Sequence, residues 1–273
     1  MSFEGKVVWV TGASSGIGEA LTKAMVRVGA AVILSGRRVQ ELERVAAEVG
    51  GKTFILPFEV TDYDALPGVV ERAWKWRGAI DLLINNAGIS QRSLALDTHF
   101  ETYRRLIEVD YLAPLQLTQL VLPRMVEQGK GHIAAVSSVA GKLGLPLRTG
   151  YPAAKHAVMG YFDALRAEVE TAYDIKVSVI VLGSVKTAIS LNALNGDGSR
   201  HGRSSENIDN GMAVGAAAER ILSGLSEGQR EIIVAEGREL AGLQARLREP
   251  ESLFALMAAE GARLAALRDE VGP

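Results

Sequence analysis

Tyr151 and Lys155 stand four residues apart, so they share one face wherever that segment is helical. An ammonium beside a phenol favours the phenolate, which makes such a tyrosine usable as an acid or base nearer neutral pH. Alone, the pair is common and usually a surface contact. Upstream, Ser137 and Ser138 close an apolar run. A serine at that place could hydrogen-bond the same substrate oxygen.

Near the N-terminus, Thr11-Gly12-Ala13-Ser14-Ser15-Gly16-Ile17-Gly18 lies between an apolar run and a helical pattern. Its G-x-x-x-G-x-G spacing differs from the commoner G-x-G-x-x-G, but the physics is shared. Missing side chains let the backbone turn tightly and approach a pyrophosphate. The helix that follows points free N–H groups and its positive dipole end at the anion. Gly12, Ser14, Ser15, Gly16, Ile17 and Gly18 are therefore candidate cofactor contacts. The next apolar run ends at Ser35-Gly36-Arg37-Arg38. A nucleotide lacking a 2′-phosphate is usually gripped there by a carboxylate on the ribose, and none is present. Cations are unfavourable at a helix N-terminus, so Arg37 and Arg38 ask for an anion, and a guanidinium fork suits phosphate. The expected cofactor is NADP(H). Asn85-Asn86-Ala87-Gly88 either borders that cofactor or pins adjacent strands, and residue chemistry leaves both open.

The chain has 273 residues, 48% hydrophobic and 23% charged, which supports a sizeable core in one large α/β domain. With 30 basic and 32 acidic residues the net charge is −2, so no basic excess points to nucleic acid. No cysteine is present, which excludes disulfides, a thiol nucleophile and a Cys-ligated metal. His99, His132, His156 and His201 show no ligand spacing, and no metal is expected. Residues 1–6 are too short and polar for a signal peptide. No apolar stretch reaches 18 residues, so no integral membrane segment is expected and the location is read as cytoplasmic.

The elements that must position these residues alternate. Strands are expected at 6–10, 31–35, 53–58, 81–85, 132–137, 176–182 and 231–234. Helices are expected at 17–28, 39–49, 62–76, 98–128 with a bend near Pro114, and 151–173. Strands apolar on both faces and separated by helices imply a doubly wound, Rossmann-like parallel sheet, with ligands beyond the carboxyl ends of its strands. Residues 192–210 read as a loop and are expected to form a mobile cover over the site. The domain is expected over 1–235. Residues 236–273 form an amphipathic helical extension, broken near Pro250, that docks on the same domain or a sister subunit. An interfacial membrane contact is the sharper alternative.

Together, Thr11–Gly18, Asn85–Gly88, Ser138 and Tyr151-x-x-x-Lys155 resemble the short-chain dehydrogenase/reductase family, over at least residues 6–187. The stretch 191–202 looks like the membrane-linked carbonyl and retinoid or steroid reductase branch, although that branch's N-terminal anchor is not expected here. The resemblance implies hydride transfer between NADP(H) and a small-molecule carbonyl or alcohol. Tyr151 would be the acid/base, Ser138 would orient the oxygen, and Lys155 would bind the nicotinamide ribose and tune Tyr151. It implies a homodimer or homotetramer through helices around 98–128 and 151–173. It adds Glu59 and Val60 near the adenine, Asn86, Ala87 and Gly88 along the cofactor, and Gly183, Val185 and Thr187 near the carboxamide. Two departures stand out. Asp110 occupies the place of a family asparagine that holds a proton-relay water. It is either ionised, protonated as an amide mimic, or a bystander. Leu182-Gly183 replaces a Pro-Gly, implying a less rigid loop. These departures support a rival reading, an NADP(H)-binding sensor or scaffold with weak catalysis. The substrate pocket is expected along 90–95, 140–149 and 189–201, without a signature that names the substrate.

Overall fold

Alternation within the strands decides which way each helix packs. In β1 (Val7–Thr11) Val7 and Trp9 face one layer while Val8 and Val10 face the other, and all are buried. β2 (Ala31–Ser35) repeats this, with Ile33 on the first face and Val32 and Leu34 on the second. A strand with two apolar faces needs cover on both. The computed structural model describes residues 2–271, and supplies that cover.

On the first face lie α3 (Leu66–Arg77), α5 (Ala113–Glu127) and α6 (Gly150–Tyr173), with Val70, Val121, Met125 and Phe162 in one core. On the second lie α1 (Gly16–Arg27), α2 (Val39–Val49) and α8 (Val214–Glu227), with Leu21, Met25, Leu42, Ile221 and Leu225. Burying each such side chain contributes roughly 1.5–3 kcal/mol, against about 0–1 kcal/mol for an exposed ion pair. The two apolar layers therefore hold the fold.

The remaining strands are β3 (Thr53–Ile55), β4 (Leu82–Asn85), β5 (Gly131–Ser138), β6 (Ile175–Leu182) and β7 (Glu231–Val234). The order is β3-β2-β1-β4-β5-β6-β7, and every pair is parallel. The chain winds outward from β1 in one direction and from β4 in the other, so the crevice opens where these two strands end.

Three elements depart from expectation. β3 stops at Ile55 instead of residue 58. The long helix expected at 98–128 is α4 (Phe100–Ile107), a π-helical turn (Glu108–Leu112) and α5. Pro114 has no N–H to offer the Asp110 carbonyl four residues back, which favours the wider turn there. Helix α8 was not foreseen. Parallel β6 and β7 cannot be joined by a tight turn, so the crossover needs it. A short α7 (Glu206–Asp209) lies within residues 192–210. The tail forms α9 (Gly237–Arg248) and α10 (Pro250–Val271), and their Leu243 and Leu253 enter the first core.

Candidate active site

The strand ends open into a cavity of about 1100 Å³. Its floor is the glycine turn. Gly12 and Gly16 take left-handed backbone (φ 67° and 57°), which costs a residue with a side chain far more than glycine. A Cβ on Gly18 would overlap the Gly12 carbonyl. Ser15 caps α1 without giving a side-chain acceptor to its first N–H groups. Those donors belong to the twelve-residue helix that starts at the cavity. The cradle therefore fits a dinucleotide's phosphates, and the volume holds a dinucleotide plus a substrate.

Gly12, Ser14, Ser15, Gly16, Ile17, Arg37, Arg38, Glu59, Val60, Asn86, Ala87 and Gly88 all line this cavity, as do Ser138, Tyr151, Lys155, Gly183, Val185 and Thr187. Two expected residues do not. Gly18 sits behind the turn, and Asp110 is buried behind Lys155. At the end of β2, Arg38 donates to the Ser14 and Ser15 hydroxyls (3.0 and 2.6 Å). Arg37 instead pairs with Glu59 (3.3 Å), which also meets Arg105 (3.6 Å). The Asn85–Gly88 segment pins strands and borders the cavity at once. Asn86 and Ala87 donate backbone N–H groups to the Thr11 hydroxyl (3.0 and 3.1 Å), and the Asn86 amide donates to the Thr11 carbonyl (2.8 Å).

Ser138 ends β5. Its hydroxyl donates to the Leu182 carbonyl (3.1 Å) and accepts the Ala140 N–H (3.1 Å). The first turns of α6 present Tyr151 and Lys155 to the same wall, with Lys155 Nζ 5.7 Å from the Tyr151 ring centre. Lys155 is 4% exposed, and its ammonium donates to the Val136 carbonyl (3.1 Å). Asp110 Oδ2 stands 3.5 Å from it. The other oxygen, Oδ1, accepts the Ile89 N–H (2.8 Å), while Oδ2 has no hydrogen-bond partner among the described residues. Burial pushes the Asp110 carboxyl up, against the opposing pull of the Lys155 ammonium and the Ile89 N–H. Gly88 permits this closeness, because a Cβ there would lie 3.2 Å from Oδ1 and 3.4 Å from Lys155 Nζ.

The loop after β6 is fastened from an unexpected direction. Glu239, on α9, accepts the Ser184 N–H (2.8 and 2.9 Å) and its hydroxyl (2.6 Å). A Cβ on Gly183 would collide with that carboxylate. The looseness implied by Leu182 in place of proline is offset by this clamp. One glutamate in a charged tail gives no sequence signal for it. Residues 192–210 are also tied down. Leu194 exchanges backbone bonds with Ser90 and Arg92 (2.8 Å each), and Gly196 accepts from His99 and Thr102 (2.8 and 2.9 Å). Among the described residues no acid, histidine or cysteine cluster could hold a metal, and no helix is long and apolar enough to cross a membrane.

A sequence model of the short chain dehydrogenase family matches residues 6–196. The mouse (Mus musculus) dehydrogenase/reductase SDR family member 7B is 36% identical over 92% of this chain and 80% of its own length. The Drosophila melanogaster dehydrogenase/reductase SDR family protein 7-like is 38% identical over 95% of this chain and 82% of its own. A Burkholderia phymatum short chain dehydrogenase/reductase solved with NAD shares the fold at TM-score 0.82 and 21% identity, covering 92% of this chain and 96% of that one. A Burkholderia cenocepacia short chain dehydrogenase solved with NADP aligns at TM-score 0.78 and 25% identity, covering 94% and 99%.

Proposed function

This chain belongs to the short-chain dehydrogenase/reductase family, and from that premise we propose that it interconverts a carbonyl and an alcohol with NADP(H), through Ser138, Tyr151 and Lys155. The observation that carries this reading is the meeting of these three side chains on one cavity wall that continues into the glycine cradle. The bound nicotinamide nucleotide supplies the two-electron chemistry that no side chain here possesses. Tyr151 gives a proton to the substrate oxygen in reduction and takes it back in oxidation. Ser138 exchanges its Leu182 partner for that oxygen and orients it. Lys155, fixed by Val136 and Asp110, places a positive charge beside the phenol and offers donors to the nicotinamide ribose.

Support for NADP(H) is the guanidinium pair at the end of β2. Arg38 is already directed by two serine hydroxyls at the edge of the cradle, and the strand end presents no carboxylate of its own. The same reading takes a soluble cytoplasmic homodimer or homotetramer built on α4 to α6, which cell fractionation and sedimentation would check.

The test uses NADPH oxidation against a ketone panel together with cofactor titration by fluorescence. NADPH should bind about ten- to a hundredfold more tightly than NADH, the worth of one charge-assisted contact of roughly 1.5–3 kcal/mol. Tyr151→Phe should lower kcat by about 10²–10⁴-fold and leave NADPH affinity near normal. Lys155→Ala should damage both. Near-normal kcat in Tyr151→Phe removes Tyr151 from the mechanism. NADPH binding with no turnover of any ketone supports the sensor reading instead.

A further inference from the structure

Beyond the catalytic wall, two arginines enter the cavity with nothing to hold. Arg92 follows β4, and Arg148 precedes α6 by two residues; both line the cavity and both are half-buried. Neither guanidinium has a hydrogen-bond or ion-pair partner among the described residues. A lone cation at a cavity lip proves little, but these two are brought together by a built support. Gln91, fully buried, accepts the Gly150 N–H (2.8 Å) and donates to the Ser93 and Thr98 hydroxyls (2.9 Å each). Ser93 in turn donates its N–H to the Leu147 carbonyl (2.9 Å). Leu147 holds left-handed backbone (φ 62°), a strained state for a leucine that persists only where its surroundings over-determine it. The loop is thus forced into the shape that delivers Arg148.

Two like charges held near each other and out of bulk water oppose folding unless something compensates. Burial pulls Arg92 down to about 10, and Arg148 adds to the effect. Burial lowers Arg148 as well, against the influence of Tyr151 and Glu239. A guanidinium keeps its charge at neutral pH, so both side chains are cations. Glu239 acts on Arg148 only across space, with no hydrogen bond or ion pair between them among the described residues, because its oxygens are held by Ser184. The nucleotide's phosphates have their own place, at the glycine turn and Arg38. Around the same region the wall is apolar, through Leu143, Leu145, Ala245, Leu253, Leu256 and Met257, four of them from α9 and α10.

We infer that the substrate is an amphiphile whose anionic group, a carboxylate or a phosphate, is gripped jointly by Arg92 and Arg148 while its apolar chain lies along α9 and α10. The inference rests on the oxidoreductase reading for the role of the carbonyl, and it names the class of molecule that carries it. Paired guanidinium forks match the oxygens of either anion. The C-terminal helices are then part of the binding site, a wall that sets how long a chain is accepted.

Calorimetric titration of the full chain with decyl phosphate, decanoate and 1-decanol tests this without turnover. At least one anion should bind about ten- to a hundredfold more tightly than decanol. Whichever anion binds better identifies the headgroup the pair serves. Arg92→Gln and Arg148→Gln should each cut the ratio of anion to alcohol affinity about tenfold, and the double variant should erase it. Arg148→Lys, which keeps the charge but loses the fork, should retain part of the ratio. Thermal melts should show the glutamine variants as stable as the parent or more so, since an uncompensated charge is removed. Decanol binding as tightly as both anions, or a ratio that survives in the double variant, overturns the inference. A chain that keeps the ratio yet reduces no ketone would defeat the oxidoreductase reading alone.

Discussion

Asp110 is a carboxyl under two opposed demands. Burial favours its neutral form, while the Lys155 ammonium and the Ile89 N–H favour the anion; burial is the larger influence. The folded value is therefore raised above the ordinary 3.8. A raised group takes up a proton on folding. Its stabilising contribution is complete below the unfolded value and is lost as pH rises through the folded one, at about 1.4 kcal/mol per pH unit at the steepest. Asp110→Asn removes that titration and keeps the shape. The melting-temperature difference, variant minus parent, should widen in the variant's favour as pH rises from 4. A gap independent of pH would show that folding leaves the proton affinity of Asp110 unchanged. Alcohol oxidation needs the Tyr151 phenolate, so the variant's rising limb should lie at lower pH than the parent's wherever the parent's ionised carboxylate opposes the phenolate. At this scale the gathering of the candidate residues on one cavity was legible where its signal is local. Tyr151 and Lys155 announce themselves by spacing on one helix, and the glycines by spacing in one turn. Arg92 and Arg148 lie far apart in sequence and are brought near each other by the Gln91–Gly150 and Ser93–Leu147 bonds, so nothing local distinguishes them from solvated surface charges.

Among the elements, α9 does more than close the core. Through Glu239 it fastens the loop that carries Gly183, Val185 and Thr187 along the cavity. A carboxylate that accepts two donors from one residue contributes about 1.5–3 kcal/mol per charge-assisted bond before solvent exposure discounts it. Glu239→Ala should therefore speed amide hydrogen exchange at Ser184–Thr187 by about tenfold or more and weaken NADPH binding. Exchange over β1 to β4 should stay unchanged. Equal exchange of that loop in variant and parent would show that the clamp is ornamental. The break between α9 and α10 at Pro250 was readable from the proline, and helical spacing is written in Leu240, Leu243, Leu247 and Leu253. Its grip on the loop was not readable, since a single glutamate has no period. Likewise Pro114 signalled an irregularity in the long helix. The form it takes, a π-turn that aims Asp110 at Lys155, depends on tertiary packing. Helix α8 was missed although Ala217, Ala218, Ile221, Leu222 and Leu225 trace one face. The topological demand of a parallel β6–β7 pair would have revealed it.

Across the whole molecule, one parallel sheet separates two tasks. The carboxyl ends of its strands carry the cavity, and the opposite ends carry buried polar groups that only support the fold. His132, at the start of β5, is fully buried beside β6. The Ser178 hydroxyl donates to the Gln229 carbonyl (2.6 Å), so toward His132 it must accept, which places the imidazole proton on Nε2 (2.8 Å). Nδ1 has no partner among the described residues. Protonating it would leave a buried cation with an unanswered N–H. Burial, with Lys176 adding, accordingly drives His132 from 6.5 down to about 4. The unfolded chain then binds more protons than the folded one between these values. Stability is complete above the unfolded value and falls as pH drops through the window, by about 3 kcal/mol at its lower edge. Asp110 slopes the other way, so the two partly offset each other in the parent. His132→Gln removes one slope and retains an N–H for Ser178. Urea unfolding of this variant between pH 4 and 6.5 should lose the acid destabilisation assigned to His132, leaving a curve flatter than the parent's or inclined toward acid. Because the site lies at the far end of the sheet, kcat at pH 7 should not change. An unfolding curve with the parent's full acid slope would mean that His132 takes its proton as readily in the fold as outside it.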